Sequence, residues 1–171
     1  MYNNSVRVED KLYLYNLKNI KTRMSYENPW LYQGKIFETE DIGENFGFIY
    51  LIECEENNRK YLGRKYFWSF RTPKGKKRKV KQESDWKKYY GSCPELKDDI
   101  VLLGKDKFKR SILSLHKTLG KTNYEETKQL FLNNVLIEAL EDGCPKYYNS
   151  NILGRYYRKD YFQRETLTDP K

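Results

Sequence analysis

Two short segments rich in apolar residues, 48–53 and 60–67, stand on either side of a polar run in the first half of the chain. Both contain β-branched and aromatic residues, and the polar run at residues 55–58 is typical of a turn. The pattern predicts a β-hairpin. Each strand carries a tyrosine at the same relative place, so we expect Tyr50 and Tyr61 to point into one shared site.

Two helical patterns and a third strand follow along the chain. A helix is predicted over residues 94–104, beginning at a proline and ending at a glycine. Its apolar side consists of Leu96, Ile100, Val101 and Leu103. Residues 108–115 alternate as a strand does, and the longest helical pattern runs over residues 122–141 to a Gly-Cys-Pro stop. This order predicts an α+β domain with a small three-stranded antiparallel sheet flanked by helices.

We expect one domain with two extensions, because 171 residues suffice for a single core and little more. Residues 1–45 are predicted to form an N-terminal arm, and residues 46–162 the domain, with a basic insertion at 66–88. Residues 163–171 are predicted to be a C-terminal tail. The apolar residues expected to pack the arm on the domain are Trp30, Leu31, Tyr32, Ile36 and Phe37.

The charge of the chain favours a polyanionic partner. The net charge is +9 and 16% of the residues are aromatic, a balance that suits nucleic acid but also a ribosome-associated or heparin-binding protein. Between Arg59 and Lys88 there are thirteen Lys or Arg residues against two acidic ones. The centre of this stretch, residues 72–82, has no apolar periodicity and is predicted to be a mobile surface loop.

Aromatic residues bracket that loop, an arrangement that allows phosphate contact and base stacking from one surface. We therefore expect a basic surface that binds nucleic acid. The residues expected to form it are Lys65, Lys74, Lys76, Lys77, Arg78, Lys79, Lys81, Lys87, Lys88, Arg155 and Arg158.

Cysteine and histidine content excludes several classes of protein. The three cysteines form no CxxC pair, which argues against a zinc ribbon or a disulfide framework and fits a reducing cytoplasm. The single histidine, His116, excludes HNH nucleases, Cys2His2 fingers and HExxH metalloenzymes, which each need at least two. No apolar run approaches the length of a membrane span, so we expect a soluble cytoplasmic protein without membrane contact.

The strings GFIY at residues 47–50 and YLG at residues 61–63 resemble the paired motif of the GIY-YIG nucleases, with Phe48 and Leu62 as apolar replacements. Further blocks extend the resemblance over residues 28–160, to the phage-encoded, free-standing Seg-type homing endonucleases. These blocks are FETEDIG, RKYLGRKYFW, ESDWKKYYGS, LGKDKFKRSIL and YYNSNILGRYYRKD. The resemblance implies a divalent-metal-dependent endonuclease that cuts double-stranded DNA, in the host cytoplasm if the chain is phage-encoded.

The resemblance also implies roles for individual residues. Tyr50 would lie near the attacking water and Tyr61 near the phosphate. Glu126 would be the ligand for Mg²⁺ or Mn²⁺, with no other small-molecule cofactor, and Asn149 would support the site, with Asn151 as a less favoured substitute. An alternative for Glu126 is a capping box with Asn123, in which its carboxylate serves only the start of the helix.

Two positions of the family pattern stay open. The phosphate-binding arginine is Arg64, directly after YLG, or Arg71, ten residues after Tyr61, with Lys65 as a third candidate. Only a guanidinium donates two parallel hydrogen bonds to a phosphate. In the ESDWKKYYGS block, Tyr90 is expected at the scissile phosphate, with Tyr89 as its rival and Ser92 as an assisting group.

Two other functions are considered. Residues 126–128 spell ExK, as in the PD-(D/E)xK nucleases, but that motif belongs on a strand and here it lies in a helical pattern. A basic nucleic-acid-binding module without catalysis is the other alternative, in which Tyr50 and Tyr61 are packing or stacking residues. The sequence does not indicate an oligomeric state.

Overall fold

A computed structural model of the chain describes residues 26–72, 74–75 and 77–162. Residues 1–25 and 163–171, which include most of the predicted arm and the whole predicted tail, lie outside the described residues, as does Lys76. The strands are β1 (Leu31–Tyr32), β2 (Lys35–Ile36), β3 (Gly47–Cys54), β4 (Lys60–Tyr66), β5 (Trp68–Arg71), β6 (Val80–Glu83), β7 (Phe108–His116), β8 (Asn151–Ile152) and β9 (Tyr156–Tyr157). The α-helices are α1 (Pro94–Leu103), α2 (Leu119–Leu132) and α3 (Arg158–Tyr161). Short 3₁₀ turns cover Thr39–Ile42, Trp86–Lys88 and Lys105–Lys107.

The main sheet has five strands in the order β2-β1-β7-β3-β4. Strand β3 pairs antiparallel with both β4 and β7, as the hydrophobic pattern predicts. The prediction of a three-stranded, purely antiparallel sheet is wrong, because β1 adds to β7 in parallel and β2 pairs with β1. Strands of two residues carry no alternation, so the sequence pattern could not reveal them.

Strand β3 is buried on both faces, which explains its nearly continuous apolar run. Phe48, Tyr50 and Ile52 pack into one cluster with buried aromatic residues of the arm and with the two buried aliphatic residues of α1. Ile49 faces a second cluster, formed with Leu62 of β4, residues of α2 and the segment after it. The sheet is therefore the middle layer of the domain, and its two tyrosine-bearing strands are fixed from both sides.

The first predicted helix is confirmed as α1, but its expected apolar side is partly wrong. Leu96 and Ile100 are buried, whereas Val101 is 86% exposed. The predicted helix over 122–141 is wrong at both ends, because α2 begins at Leu119 and ends at Leu132. Asn134 adopts the left-handed conformation with φ 46°, which terminates the helix. Beyond it, Val135 and Leu136 pack on the core without helical structure, whereas Ile137 is exposed.

The predicted surface loop over 72–82 is confirmed in part: its described residues up to position 79 are exposed and outside any strand, but residues 80–82 belong to β6 of a second hairpin. Strands β5 and β6 pair antiparallel from Trp68 opposite Glu83 to Arg71 opposite Val80. Trp68 donates a hydrogen bond from Nε1 to the carbonyl of Asn45 at 3.1 Å, which attaches the hairpin to the domain. Trp68 is thus engaged within the fold, whereas the sequence analysis assigned the aromatic residues around the loop to base stacking. Within the described part of the chain, no helix is both long and apolar enough to cross a membrane.

Candidate active site

The two tyrosines of the first hairpin lie together. Tyr61 is the partner of Ile52 across the hairpin, so it shares a face of the sheet with Tyr50, two residues earlier on β3. The ring centroids of Tyr50 and Tyr61 are 6.1 Å apart. A β-bulge in the pairing with β7 falls between Ile49 and Tyr50. Bulges often lie next to active sites, where they redirect a side chain.

Two glycines provide the space for these rings. A Cβ atom at Gly63, the glycine of YLG, would lie 2.6 Å from the hydroxyl oxygen of Tyr50. A Cβ atom at Gly91 would lie 2.7 Å from a ring carbon of Tyr61, and Gly91 has a positive φ of 85°. Any side chain at Gly63 would push the Tyr50 hydroxyl away. The packing of the Tyr50 hydroxyl against position 63 therefore explains why the second motif ends in glycine.

Strand β4 and helix α2 supply the charged groups of the site. Arg64 donates from Nη1 to Oε2 of Glu126, and from Nε to the hydroxyl of Tyr66 at 2.9 Å. The Tyr66 hydroxyl donates in turn to Oδ1 of Asn123. Because Asn123 and Glu126 are three residues apart on α2, both project from the same side of the helix. A network of side chains thus connects the two elements beside the tyrosine pair.

The position of Glu126 contradicts the capping-box interpretation. The cap of α2 is Thr118, whose hydroxyl accepts a hydrogen bond from the backbone N–H of Lys121 at 3.1 Å. Glu126 lies two turns farther along, so its carboxylate is not needed to start the helix. Its side chain is 13% exposed and faces the site, where the Arg64 guanidinium is its cationic neighbour.

Tyr89, Lys65 and Ser92 complete a pocket of about 290 Å³. The ammonium of Lys65 lies 3.9 Å from the ring centroid of Tyr89, and Ser92 Oγ is 3.2 Å from the hydroxyl of Tyr61. The lining residues are Tyr50, Tyr61, Arg64, Lys65, Tyr66, Tyr89, Ser92 and Glu126. A second depression of about 470 Å³ shares Tyr61, Arg64, Ser92 and Glu126 with it.

Not every residue expected at the site lies in this pocket. Tyr89 lines it, whereas the ring of Tyr90 packs on the Arg110 guanidinium at 4.3 Å. Arg71 lies in β5 and lines a neighbouring depression. Asn149 is buried and clamps the backbone of Leu62, accepting from its N–H at 3.0 Å and donating to its C=O at 2.8 Å. Asn149 therefore holds the YLG strand in place, while Asn151 is exposed.

Sequence reasoning missed Arg110 among others. Arg110 is 1% exposed and donates to the backbone carbonyls of Asn28, Lys87 and Tyr89. It thereby joins the arm to the segment that carries Tyr89. Its alternation with Phe108 and Ile112, which are both buried, could have shown that this cation points inward. Tyr66 and Asn123 had no comparable signal, because polar residues in those patterns are usually solvated.

Burial sets the protonation of the two tyrosines. Burial raises the pKa of Tyr50 well above its ordinary value, and the neighbouring Tyr61 and Tyr89 raise it further. Burial also raises the pKa of Tyr61, although the hydrogen bond with Ser92 opposes that shift. Both side chains are therefore neutral phenols at pH 7. As phenols they can orient a group by hydrogen bonding.

Arg64 also keeps one protonation state at pH 7, the charged one. Burial lowers the pKa of Arg64, but the hydrogen bond to Tyr66 and the charge of Glu126 outweigh that effect and raise it above its ordinary value. The pocket thus contains a permanent guanidinium cation next to a carboxylate.

A divalent metal fits this donor set only if the substrate completes the coordination. Among the described residues, no group of three or more His, Cys, Asp and Glu side chains could hold a metal ion. Mg²⁺ commonly binds one or two carboxylates, substrate phosphates and several waters. The single carboxylate of Glu126 in a polar pocket is compatible with that mode of binding.

The expected DNA-binding residues differ in their surroundings. The side chain of Lys87 lies 3.9 Å from Glu83, and Arg158 donates to the carbonyl of Tyr147 and to Glu95. These two are engaged within the fold. The residues of the set that are exposed are Lys74, Lys77, Arg78, Lys79, Lys81, Lys88 and Arg155.

A family model for the GIY-YIG domain of the putative endonuclease segE matches residues 30–152. The comparisons with curated proteins and with solved structures gave no match. The matched region covers more than half of the chain and contains every residue that lines the pocket. The resemblance inferred from the two tyrosine motifs is thereby confirmed. The chain belongs to the Seg-type GIY-YIG endonucleases, a membership that implies nuclease activity on DNA.

Proposed function

We propose that this protein is a divalent-metal-dependent endonuclease that hydrolyses phosphodiester bonds of double-stranded DNA. The observation that carries the proposal is the convergence of Tyr50, Tyr61, Arg64 and Glu126 on one pocket. A phosphodiesterase needs a positioned water, a cation at the phosphate oxygens and a ligand for a metal ion. These groups come from β3, β4 and α2, whose packing fixes their relative positions.

Arg64 is our choice for the residue that binds the scissile phosphate. It lies in the pocket beside Tyr61 and Glu126, whereas Arg71 lines only the neighbouring depression. The ammonium of Lys65 is 2.5 Å from Asp85 Oδ1, so it is already paired. A guanidinium can hold two phosphate oxygens in parallel, which an ammonium cannot. On binding DNA, Arg64 would exchange part of its contact with Glu126 for the phosphate.

Glu126 is the proposed ligand for Mg²⁺ or Mn²⁺. When bound there, the metal would neutralise charge on the phosphate and lower the pKa of a coordinated water. Tyr50 and Tyr61, as neutral phenols, would hold the attacking water and a phosphate oxygen by hydrogen bonds. Asn149 acts indirectly, by fixing the strand of Leu62. Tyr89, with its ring 6.0 Å from that of Tyr50, is preferred to Tyr90 as the third tyrosine.

The resemblance to Seg-type enzymes supports a further inference, that the protein is phage-encoded and acts in homing. Enzymes of that kind cut at extended sites. We also retain the division of the chain at residues 45 and 162 as a proposal, although Trp30, on the arm side of that boundary, is fully buried in the core.

The decisive experiment uses supercoiled plasmid with Mg²⁺ or Mn²⁺, the wild-type chain and Glu126→Gln. We expect metal-dependent nicking or linearisation that the substitution abolishes, because the amide cannot replace the carboxylate as a ligand. Glu125→Gln is the matched control, since Glu125 lies on the same helix and pairs with Lys128 at 3.6 Å outside the pocket lining. DNA binding without cleavage in any metal would contradict the proposal and favour a non-catalytic binding module.

A further inference from the structure

We propose that the β5–β6 hairpin is a two-stranded ribbon that enters the major groove of duplex DNA beside the cleaved bond, and that Arg71 and Gln82 read base edges there. This inference rests on the proposed function, since it places the cleaved strand in the pocket beside the hairpin. The major groove of B-DNA is wide enough for a two-stranded β-ribbon. The structure provides such a ribbon, with four residues in each strand.

The two faces of the hairpin differ in chemistry. Residues directly opposite each other in an antiparallel pair share a face. One face holds Trp68, Phe70, Lys81 and Glu83. Its aromatic residues pack on the domain or under a lysine: Phe70 stacks on Phe46 with centroids 6.4 Å apart, and the Lys81 ammonium lies 4.0 Å above the Trp68 ring. The other face consists of Ser69, Arg71, Val80 and Gln82. The attachment is thus apolar, and the remaining face carries the hydrogen-bonding side chains.

The polar face is continuous with the active site. A depression of about 600 Å³ is lined by Ser69, Arg71 and Gln82 of this face. Its other lining residues are Lys65 and Tyr66 of β4, Trp68 and Glu83 of the opposite face, and Ser84 and Asp85. Lys65 and Tyr66 line the catalytic pocket as well. A duplex that presents a phosphate to the pocket would therefore pass along this face of the hairpin, with its neighbouring base pairs against Arg71 and Gln82.

The side chains on this face suit base recognition. Arg binds O6 and N7 of guanine through two hydrogen bonds, and Gln binds N6 and N7 of adenine in the same manner. Arg71 and Gln82 are both exposed, and within the described residues neither side chain has a hydrogen-bond partner. Their hydrogen-bonding groups are consequently open to a ligand.

Charge favours a duplex over a protein partner. From Arg71 to Lys81 there are seven Lys or Arg residues and no acidic residue. Two acidic residues lie at the base of the hairpin, and each has a partner in the fold: Glu83 accepts a hydrogen bond from Trp86 Nε1 at 2.7 Å, and Asp85 Oδ1 lies 2.5 Å from the Lys65 ammonium. Lys77 and Lys79 in the connection would contact phosphates on either side of the groove. Double-stranded RNA is not suited, because its major groove is too deep and narrow for side chains to read.

The test is a binding selection from a random duplex library, performed with the full chain carrying Glu126→Gln so that DNA stays intact. In this background we compare Arg71→Ala, Gln82→Ala and the control Lys79→Ala, each checked for folding by circular dichroism. We expect the parent to enrich sites with guanine and adenine at fixed places. Arg71→Ala should reduce the guanine preference about tenfold, and Gln82→Ala the adenine preference by a similar factor.

Lys79→Ala should behave differently. It should weaken binding to all sequences alike and reduce the slope of log affinity against log salt by about 1. Methylation of guanine N7, an atom of the major groove, should block binding of the parent but make no difference to Arg71→Ala. Unchanged sequence preference in both hairpin variants, or insensitivity of the parent to N7 methylation, would overturn the proposal.

The selection also separates this proposal from the proposed function. If the hairpin variants lose sequence preference but the wild-type chain cleaves DNA in no divalent metal, the major-groove ribbon is supported and the proposed nuclease function is contradicted. If the wild-type chain cleaves DNA with a divalent metal but the variants keep its sequence preference, the nuclease function is supported and the major-groove ribbon is contradicted. Stronger binding of the parent to double-stranded RNA than to duplex DNA would exclude the major-groove ribbon.

Discussion

Arg64 and Arg71 are seven residues apart, yet the fold gives them opposite surroundings. Arg64 is held by Tyr66 and Glu126 inside the pocket, whereas Arg71 stands exposed on the β5–β6 hairpin. Catalysis needs groups fixed to a fraction of an ångström, and that requires packing around them. Binding to a polyanion needs exposed cations. We therefore expect pocket variants to lose rate at constant affinity, and hairpin variants to lose affinity or sequence preference.

Tyr50→Phe should give the largest loss of cleavage rate without a matching loss of DNA affinity. The phenylalanine keeps the ring contacts with Trp30 and Phe48, whose centroids lie 5.1 and 6.0 Å from that of Tyr50, so the fold should be retained. Loss of one positioned hydrogen-bonding group in an active site commonly costs about 10² to 10³ in rate. We expect that loss in single-turnover cleavage, with DNA affinity within about twofold of wild type.

The matched control for this experiment is Tyr124→Phe, because Tyr124 is 71% exposed on α2 and does not line the pocket. It should cut at the wild-type rate. Full activity of Tyr50→Phe would remove the tyrosine from the chemistry and leave it as a packing residue.

The two arginines can be compared directly through Arg64→Lys and Arg71→Lys. Lysine keeps the charge but loses the paired hydrogen bonds, so the change tests geometry rather than attraction. We expect about a 30- to 100-fold loss of cleavage rate at saturating DNA for Arg64→Lys, corresponding to about 2 to 3 kcal/mol. The saturating rate of Arg71→Lys should change by less than about threefold. Equal losses in both variants would show that the hairpin also contributes to the chemical step.

A smaller effect is expected from Gly63→Ala, which adds one methyl group to the pocket and removes no polar group. The new Cβ would lie 2.6 Å from the Tyr50 hydroxyl oxygen, so that oxygen must move. We expect cleavage to fall about tenfold, while affinity for DNA stays the same, as measured by single-turnover kinetics and filter binding.

Gly120→Ala is the control, since nothing lies within 4 Å of a Cβ atom there and Gly120 is in helix α2. It should leave cleavage unchanged and stabilise the fold by up to about 1 kcal/mol. An unaffected rate in Gly63→Ala would mean that the position of the Tyr50 hydroxyl is not critical.

The difference between pocket and hairpin also explains how far sequence alone could go. The first hairpin and α1 were predictable because each has clear ends in the sequence: two apolar runs flank a polar turn, and the helix begins at a proline and ends at a glycine. Strands β1 and β2 escaped because they have two residues each and depend on β7 for pairing. The β5–β6 hairpin was not predicted because the basic residues between its strands have no apolar periodicity, and the sequence does not show that Trp68 is hydrogen-bonded to Asn45.

The site shows the same limit at the scale of single residues. Tyr50, Tyr61 and Glu126 could be named as candidates because they belong to motifs with a fixed order, whereas Arg64 stayed open beside Arg71 and Lys65. The sequence analysis favoured Tyr90 over Tyr89, whereas Tyr89 lines the pocket and the Tyr90 ring packs on Arg110, because adjacent residues after the 3₁₀ turn point in different directions. Likewise, the start of α2 at Leu119 rather than near Thr122 decides whether Glu126 is a cap or a site residue.

The smallest effect we predict concerns alkaline pH and tests the protonation of the pocket. Burial raises the pKa of Tyr50 well above its ordinary value of about 10. A group whose pKa is raised by folding contributes stability below its unfolded pKa, and that contribution is lost as pH rises towards the folded pKa. The free energy of unfolding should therefore be insensitive to tyrosine ionisation between pH 7 and 9 and should decline above about pH 10.

Urea unfolding of wild type and Tyr50→Phe between pH 8 and 11 measures the share of that decline which belongs to the pocket. Other buried tyrosines contribute as well, because burial raises the pKa of Tyr26 to about 12. Tyr50→Phe should therefore show a shallower decline rather than none, while Tyr124→Phe, which removes an exposed hydroxyl, should follow the wild type. If Tyr50→Phe declines as steeply as wild type, Tyr50 ionises with a pKa close to that of the unfolded chain. A tyrosinate base would then again be possible, and the pocket would resemble the solvent-exposed hairpin more than the fixed, dry site inferred from its packing.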